Sequence, residues 1–156
     1  MKPRVYVETT VISYLAALPS RDLVTAAHQQ ITREWWARRE RYELYVSGPV
    51  LEEAAGGDPS AAQRRLREVA GLRELEVTPA ARDLARALLE ARIVPAASTV
   101  DALHVATAAA HGMDYLLTWN CAHIANATLR YRIEALCRLL GLAPPAICTP
   151  EELGEV

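Results

Sequence analysis

The sequence predicts an α/β domain whose mainly parallel sheet is covered by helices on both faces. Short runs of β-branched and aromatic residues alternate along the chain with longer apolar patterns at helical spacing. No linker, internal repeat or low-complexity segment divides the 156 residues, so we expect a single domain over residues 1–156. A chain of this length buries about 70% of the surface that its unfolded form exposes, which is enough for a core without disulfides or a structural metal.

The first strand is predicted at Arg4–Val7, which is β-branched and aromatic. The apolar residues that follow Thr9 recur at helical spacing and predict the first helix, which Pro19 interrupts. An amphipathic helix then extends to Arg41 and carries the adjacent pair Trp35-Trp36. Because neighbouring helix positions point about 100° apart, we expect one of these two rings, not both, to pack in the core or in a dimer interface.

The middle of the chain continues the alternation. A second strand is predicted at residues 44–46, and Ser47-Gly48-Pro49 has the form of a helix start with proline in its first turn. The helix that begins there carries Glu53. An Arg-rich helix to about residue 70, a third strand at residues 72–77 and a helix from Thr78 through residue 93 follow.

The last third of the chain predicts two further strands. Ser98 and Thr99 are placed to cap a helix over residues 100–111, and Gly112 is placed to end it. The apolar run at residues 115–118 predicts a buried fourth strand. A helix from about residue 123 to residue 140 and a short strand at residues 146–148 complete the pattern.

Composition and charge narrow the function classes. The 17 Lys and Arg residues against 19 Asp and Glu residues give a formal net charge of −2, so nucleic-acid binding must be argued from a site. Three cysteines are too few and too widely spaced for a zinc ribbon, and they suit a reducing cytosol. Glu8 comes too early for a secretory signal and no stretch reaches about 20 apolar residues, so we expect a cytoplasmic protein without a membrane span.

Four oxygen-bearing side chains follow strands or begin helices on the same side of the predicted sheet. Glu8 ends the first strand, and Glu53 lies in the first turn or two of the helix after the second strand. Asp101 is in the first turn of its helix, and Asn120 follows the fourth strand. In a parallel sheet these positions meet at one edge, where ligands usually bind, so we expect the four side chains to converge.

The surroundings of Asp101 indicate a bound cation. Taken singly, Asp101 could complement a helix dipole and Glu53 could be a solvated helix residue. Asp101 is nonetheless set among small and apolar residues, since Asp114 is the only other acid between residues 94 and 117. A buried unpaired charge costs several kcal/mol, which a cation shared with Glu8 and Glu53 would offset. Carboxylate ligands favour Mg²⁺ or Mn²⁺, and Mg²⁺ keeps several waters, so three protein ligands are enough.

Four segments stand out in order along the chain: YVETTVI at residues 6–12, SGPVLEE at 47–53, DALHVATA at 101–108 and YLLTWN at 115–120. Together they resemble the signature segments of PIN-domain ribonucleases, a family that includes the VapC-type toxins of type II toxin–antitoxin pairs. The resemblance implies a three-layer α/β/α sandwich. It also implies Mg²⁺- or Mn²⁺-dependent cleavage of RNA by an acidic cluster, and a small antitoxin as partner.

Carried over residue by residue, the resemblance implies a catalytic set of Glu8, Glu53, Asp101 and Asn120, with the metal held by the first three. Glu53 and Asp101 match the family pattern directly. Glu8 stands where the family usually has Asp, and Asn120 stands where it usually has an acid. An asparagine oxygen coordinates a metal but adds no negative charge, so we expect one firm metal position at most and slow or Mn²⁺-dependent activity.

Four more side chains are candidates for supporting this site, each with a structural alternative. Thr9 and Thr118 can hydrogen-bond a ligating carboxylate or water, or they can be ordinary strand-end and capping residues. His104 lies one helical turn after Asp101 and can face the same cleft, or it can pack in the core. His123 can orient RNA or water in place of the missing acid, or it can cap a helix.

The resulting hypothesis is a metal-dependent endoribonuclease that hydrolyses RNA phosphodiester bonds and is the toxin of a type II toxin–antitoxin pair. It implies RNA, a small antitoxin and a second copy of the chain in a homodimer as partners. The alternative, which Glu8 and Asn120 favour, is a catalytically weak or silent PIN-like module that binds RNA or a protein. A phosphotransferase on a similar sheet has little support, because the chain lacks G-x-G-x-x-G and a P-loop.

Overall fold

The computed structural model of the protein describes residues 1–154. It contains five strands: β1 (Arg4–Val7), β2 (Glu43–Ser47), β3 (Arg73–Leu75), β4 (Tyr115–Leu117) and β5 (Ala146–Cys148). They form one parallel sheet in the order β3-β2-β1-β4-β5, so the first strand of the chain lies at its centre. The three aligned positions Val5, Tyr6 and Val7 of β1 are fully buried, as is typical of a parallel sheet covered on both faces.

Seven α-helices cover this sheet. They are α1 (Thr9–Ala16), α2 (Leu23–Ala37), α3 (Gly48–Ala54), α4 (Pro59–Val69), α5 (Pro79–Glu90), α6 (Thr99–Ala110) and α7 (Ala127–Leu139). Helix α1 packs against α2, α3 and α4, whereas α5 packs against α6 and α7. This arrangement confirms the predicted three-layer α/β/α sandwich with a parallel central sheet. None of the helices in residues 1–154 has the length and apolar character needed to cross a membrane.

Side-chain caps account for most of the helix starts. Asp22, Asp58 and Thr78 each accept a hydrogen bond from a backbone N–H in the first turn of the helix that follows. Gly112 ends α6 with a φ of 63°, as predicted, because a residue without a Cβ adopts this conformation most easily. Ser98 stands at the N-cap of α6, but its hydroxyl makes no cap bond and lies 3.2 Å from Nδ1 of His123 instead.

Some predicted boundaries differ from the structure for local reasons. The helix predicted to reach Arg41 ends at Ala37, and a 3₁₀ turn at Arg39–Arg41 follows it. The helix predicted from residue 123 begins at Ala127, because the Asn126 side chain caps it by accepting from the Thr128 N–H.

The expectation that only one tryptophan of the pair faces inward is wrong. Trp35 is 1% exposed and Trp36 is 8% exposed. The Trp35 ring stacks on Tyr42, with 5.3 Å between the ring centroids, and the Arg39 guanidinium lies 5.2 Å from the centroid of Trp36. Residues that follow the helix therefore cover the second ring, which helix periodicity alone does not reveal.

Candidate active site

Glu8 lies where β1 ends and α1 begins, and it is 2% exposed. Its Oε1 accepts hydrogen bonds from the hydroxyls of Thr118 (2.6 Å) and Thr10 (2.9 Å), and its Oε2 accepts from the backbone N–H of Thr10 (2.5 Å). Burial raises the pKa of the Glu8 carboxyl, although the hydrogen bonds from Thr118 and Thr10 oppose the rise. The carboxylate thus joins the start of α1 to the end of β4.

Glu53 is the next-to-last residue of α3, and its side chain is 39% exposed. Its Oε1 accepts hydrogen bonds from Nε2 of His104 (2.6 Å) and from the Thr9 hydroxyl (2.7 Å). Partial burial opposes ionisation, but the hydrogen bonds from His104 and Thr9 outweigh it and hold the pKa of Glu53 below its usual value. Glu53 is therefore an ionised carboxylate at neutral pH, with one oxygen held by the protein.

Asp101 lies in the first turn of α6 and has a donor on each oxygen. Its Oδ1 accepts from Nδ2 of Asn120 (3.1 Å), and its Oδ2 lies 3.0 Å from Nδ1 of His123. The oxygen of the Asn120 side chain accepts from the His123 backbone N–H (3.0 Å), which fixes the turn after β4. Asn120 thus links Asp101 to the backbone of the turn that carries His123.

Thr118 completes a connected set of side chains across the sheet edge. Its hydroxyl donates to Glu8 and accepts from the backbone N–H of Asn120 at 2.9 Å. Glu8, Thr118, Asn120 and Asp101 are therefore linked by consecutive hydrogen bonds. Of the four catalytic candidates, Asn120 and Asp101 are hydrogen-bonded to each other, and Thr118 joins Glu8 to Asn120. Thr9 connects Glu53 to the start of α1 beside Glu8.

His104 is 1% exposed and points to Glu53 from within the core. Its Nδ1 lies 2.7 Å from the hydroxyl of Tyr6, which in turn lies 2.6 Å from Oγ of Ser47. Burial raises the pKa of the Tyr6 phenol far above its usual value, so this hydroxyl stays protonated. Both alternatives considered for His104 hold at once, since it is a core residue and also contacts the site.

Sequence reasoning did not single out Thr10, Tyr6 or Ser47 as site residues. Thr10 contacts Glu8 with its hydroxyl and its backbone N–H, and its hydroxyl also accepts from the Trp119 N–H at 2.8 Å. The available signal was its place two residues after a helix N-cap, where an N–H is free to bind the cap side chain. No comparable signal marks Tyr6, which was predicted as a strand residue, or Ser47, which was predicted as the start of a helix.

A family comparison covers the whole site. The sequence model of the PIN domain matches residues 5–120, a range that contains Glu8, Glu53, Asp101 and Asn120. The chain belongs to the PIN domain family. A comparison with curated protein sequences finds no match.

Two solved structures have the same fold as this PIN domain. One is a chain of VapBC2 from Rickettsia felis, whose crystal structure contains a DNA fragment from its promoter. Its sequence is 14% identical to this chain and its TM-score is 0.60. The match covers 94% of this chain and 98% of the VapBC2 chain. VapC20 of Mycobacterium tuberculosis, described as a Sarcin-Ricin loop cleaving toxin, is 19% identical with a TM-score of 0.54, covering 76% and 92% of the two chains. At these identities the likeness concerns the fold.

PIN nucleases generally use divalent metal ions, and the donor chemistry of this PIN domain suits one, because Mg²⁺ and Mn²⁺ prefer carboxylate oxygens. Within residues 1–154, however, no three His, Cys, Asp or Glu side chains are placed to share one ion. The oxygens of Glu8 and Asp101 already accept protein hydrogen bonds, whereas Oε2 of Glu53 accepts none from the described residues. An ion shared by all three would replace some of these hydrogen bonds.

Proposed function

We propose that this PIN domain is a divalent-metal-dependent endoribonuclease and the toxin of a type II toxin–antitoxin pair. The observation that carries the proposal is the linked set of acidic and amide side chains at the carboxyl edge of the sheet, inside the range that the family model matches. Proteins of the PIN family are generally nucleases, and one solved structure of the same fold is described as a Sarcin-Ricin loop cleaving toxin.

Glu8, Glu53 and Asp101 are the proposed metal ligands, with Glu53 supplying the oxygen that has no protein donor. Because Mg²⁺ is often bound by one or two carboxylates together with waters and substrate phosphate, the RNA completes the coordination in this proposal. The bound ion would lower the pKa of a water and offset charge that builds up on the phosphate.

The chain's own residues supply the remaining chemistry. A carboxylate oxygen of the acidic set takes a proton from the attacking water as the water oxygen bonds to phosphorus. The P–O3′ bond breaks, a solvent water protonates the O3′ leaving group, and the products carry a 5′-phosphate and a 3′-hydroxyl, as the family analogy implies. Thr118 and Asn120 hold Glu8 and Asp101 in place, and Thr9 and His104 hold Glu53. The His123 ring, 40% exposed beside Asp101, is placed to contact RNA or water.

The proposal also fixes the partners and the compartment. The substrate is RNA, a small antitoxin covers the active protein, and two copies of the chain form a homodimer in the cytoplasm. Three cysteines without a disulfide fit a reducing compartment. The structural relative crystallised with promoter DNA is named as a VapBC pair, which supports the toxin–antitoxin setting by analogy of fold.

The test is cleavage of a mixture of ribosomal and transfer RNA by the purified protein with Mn²⁺. Asp101→Asn and Glu53→Gln keep the side-chain shapes but remove a charge, and we expect each to lower the rate by at least about 100-fold. Glu52→Gln is the matched control, since Glu52 precedes Glu53 in the same helix and is exposed. Equal cleavage by the wild type and by both site variants would show the assignment to be wrong.

A second candidate function is a catalytically silent module that binds RNA or a protein. The specific observation in its favour is that each oxygen of Glu8 and Asp101 already has a hydrogen-bond partner in the protein, without a group of three ligands in residues 1–154. In that case the wild type would bind RNA and leave it intact with Mg²⁺ or Mn²⁺ present. Gel-shift and cleavage assays on the same samples separate the two functions.

A further inference from the structure

Three buried side chains form a row that leads from the centre of the sheet to Glu53 in the candidate active site. Oγ of Ser47 lies 2.6 Å from the Tyr6 hydroxyl, which lies 2.7 Å from Nδ1 of His104, and Nε2 of His104 lies 2.6 Å from Oε1 of Glu53. The residues come from β2, β1, α6 and α3 in that order. Ser47, Tyr6 and His104 are at most 1% exposed, so water does not compete for these bonds.

The direction of the hydrogen bonds follows from the groups at the two ends. An ionised carboxylate can only accept hydrogen bonds, so Nε2 of His104 carries a hydrogen and donates a hydrogen bond to Glu53. In the neutral imidazole Nδ1 is then an acceptor, and it takes the hydrogen bond of the Tyr6 hydroxyl. The Ser47 hydroxyl in turn donates to the Tyr6 oxygen. One tautomer of His104 therefore satisfies every group in the row.

The row ends on the carboxylate of Glu53, whose one other side-chain hydrogen bond among the described residues comes from Thr9. Glu53 is close to the end of a short helix and its side chain is 39% exposed, so it would otherwise sample several rotamers. His104 and Thr9 both bind Oε1, which leaves Oε2 as a carboxylate oxygen without a donor among the described residues. Glu8 and Asp101 have a donor on each of their oxygens.

We propose that His104, held by Tyr6 and Ser47, is a positioning residue that fixes the orientation of Glu53 so that Oε2 is presented to the metal and the attacking water. This role rests on the proposed nuclease function. It resembles the general arrangement in which a residue behind a ligand sets the direction of the ligand, and loss of such a residue costs about 10- to 100-fold in metal affinity or activity.

Tyr6→Phe is the most direct test, because it removes only the hydroxyl and keeps the buried ring. Tyr45→Phe is the matched control: Tyr45 pairs with Tyr6 in the sheet register, and its hydroxyl donates to Glu43, away from the site. Mn²⁺ binding without RNA, measured by electron paramagnetic resonance, is expected to weaken about 10- to 100-fold in Tyr6→Phe. The same measurement is expected to stay close to wild type in Tyr45→Phe.

Three further readouts separate positioning from a loss of stability. Nitrogen NMR of the imidazole is expected to show a single Nε2–H tautomer for His104 in the wild type, and a mixture in Tyr6→Phe. His104→Gln keeps a donor near the Nε2 position, so it is expected to bind Mn²⁺ more tightly than His104→Ala. In cleavage assays kcat is expected to fall in Tyr6→Phe while KM for RNA changes little, since Tyr6 does not reach the surface.

The outcomes distinguish this proposal from the function on which it rests. A wild type that cleaves RNA, with Tyr6→Phe binding Mn²⁺ and cleaving equally well, would overturn the positioning role and leave the nuclease function standing. A wild type that neither binds Mn²⁺ nor cleaves RNA would overturn both. Weaker Mn²⁺ binding in Tyr6→Phe and in His104→Ala, with Tyr45→Phe unchanged, would support the positioning role.

Discussion

Asn120 donates its side-chain amide to Asp101, with 3.1 Å between Nδ2 and Oδ1. The PIN resemblance leads to the expectation of an acid at this position, and a carboxylate there would lie against another carboxylate. The amide instead supplies a hydrogen bond to Asp101, while its oxygen accepts from the His123 N–H. The site therefore gains stability without a metal and has one negative charge fewer to attract a cation.

Asn120→Asp should lower the stability of the metal-free protein and raise its affinity for a divalent metal ion. The variant loses the donor to Asp101 and adds a like charge, so we expect the free energy of unfolding without metal to fall by about 1–3 kcal/mol. Mn²⁺ should restore it, because the added charge binds the cation. Thermal unfolding with and without Mn²⁺ checks this. Asn126→Asp is the control, since Asn126 caps α7 and Asp also serves as a cap. An equal Mn²⁺ effect on wild type and variant would refute the prediction.

Glu8→Gln should lose activity but keep or gain stability. A glutamine has the shape and hydrogen-bonding capacity of a protonated glutamate, the form that burial favours at this position. In the folded protein the pKa of Glu8 is raised above its ordinary value of 4.5, so the ionised carboxylate costs stability above the folded-state pKa. This cost shrinks as the pH falls towards 4.5 and is absent below it.

The difference in unfolding free energy between Glu8→Gln and wild type is therefore expected to be largest at neutral pH and to vanish in acid. Urea unfolding at a series of pH values measures it, and RNA cleavage on the same samples should fall by about 100-fold or more. A variant that is less stable than wild type only at neutral pH would show that the ionised form is the favoured one.

Removal of divalent ions should stop RNA cleavage and leave the fold intact. The sheet is held by backbone pairing and the helix caps are made by protein side chains, so the circular dichroism spectrum is expected to be the same with EDTA. Cleavage should return on addition of excess Mg²⁺ or Mn²⁺. EDTA loaded beforehand with Mg²⁺ is the control and should have no effect. Full activity in EDTA would contradict the metal-dependent function.

Trp119 should contribute more to stability through its indole N–H than Trp35 does. Nε1 of Trp119 donates to the Thr32 hydroxyl at 2.8 Å, and its ring stacks on His28 with 4.0 Å between centroids. Nε1 of Trp35 is buried without a hydrogen-bond partner in the described residues. Trp119→Phe is expected to cost about 1–3 kcal/mol, and Trp35→Phe less, in urea unfolding. A larger loss in Trp35→Phe would contradict the assignment.

Thiol labelling should distinguish one cysteine from the other two. Cys121 is exposed, whereas burial raises the pKa of Cys137 to about 11 and that of Cys148 to about 12. The native protein at pH 8 is therefore expected to react quickly at one thiol and at all three after unfolding in urea. Cys121→Ser should abolish the fast reaction. Rapid labelling of two or three thiols in the native state would show that the packing around Cys137 and Cys148 is looser than described.

Sequence patterning predicted the elements well and their side-chain contacts only in part. The alternation of strand and helix periods placed Glu8, Glu53, Asp101 and Asn120 at one edge, because strand ends in a parallel sheet share that edge. It could not place Tyr6 against His104, since these residues are 98 positions apart and their contact depends on how α6 packs on β1. The start of α7 was predicted too early for a local reason, because the Asn126 side chain caps a helix that begins at Ala127.

The hydrogen bond between Glu8 and Thr118 joins residues 110 positions apart, and it has a consequence for the timing of activity during synthesis. A ribosome releases the chain from its first residue, so a nascent chain carries Glu8 long before Thr118 and Asn120 have emerged. Until then Glu8 has no β4 partner and Asp101 has no amide donor. The candidate active site is therefore assembled only when translation of the chain is nearly finished.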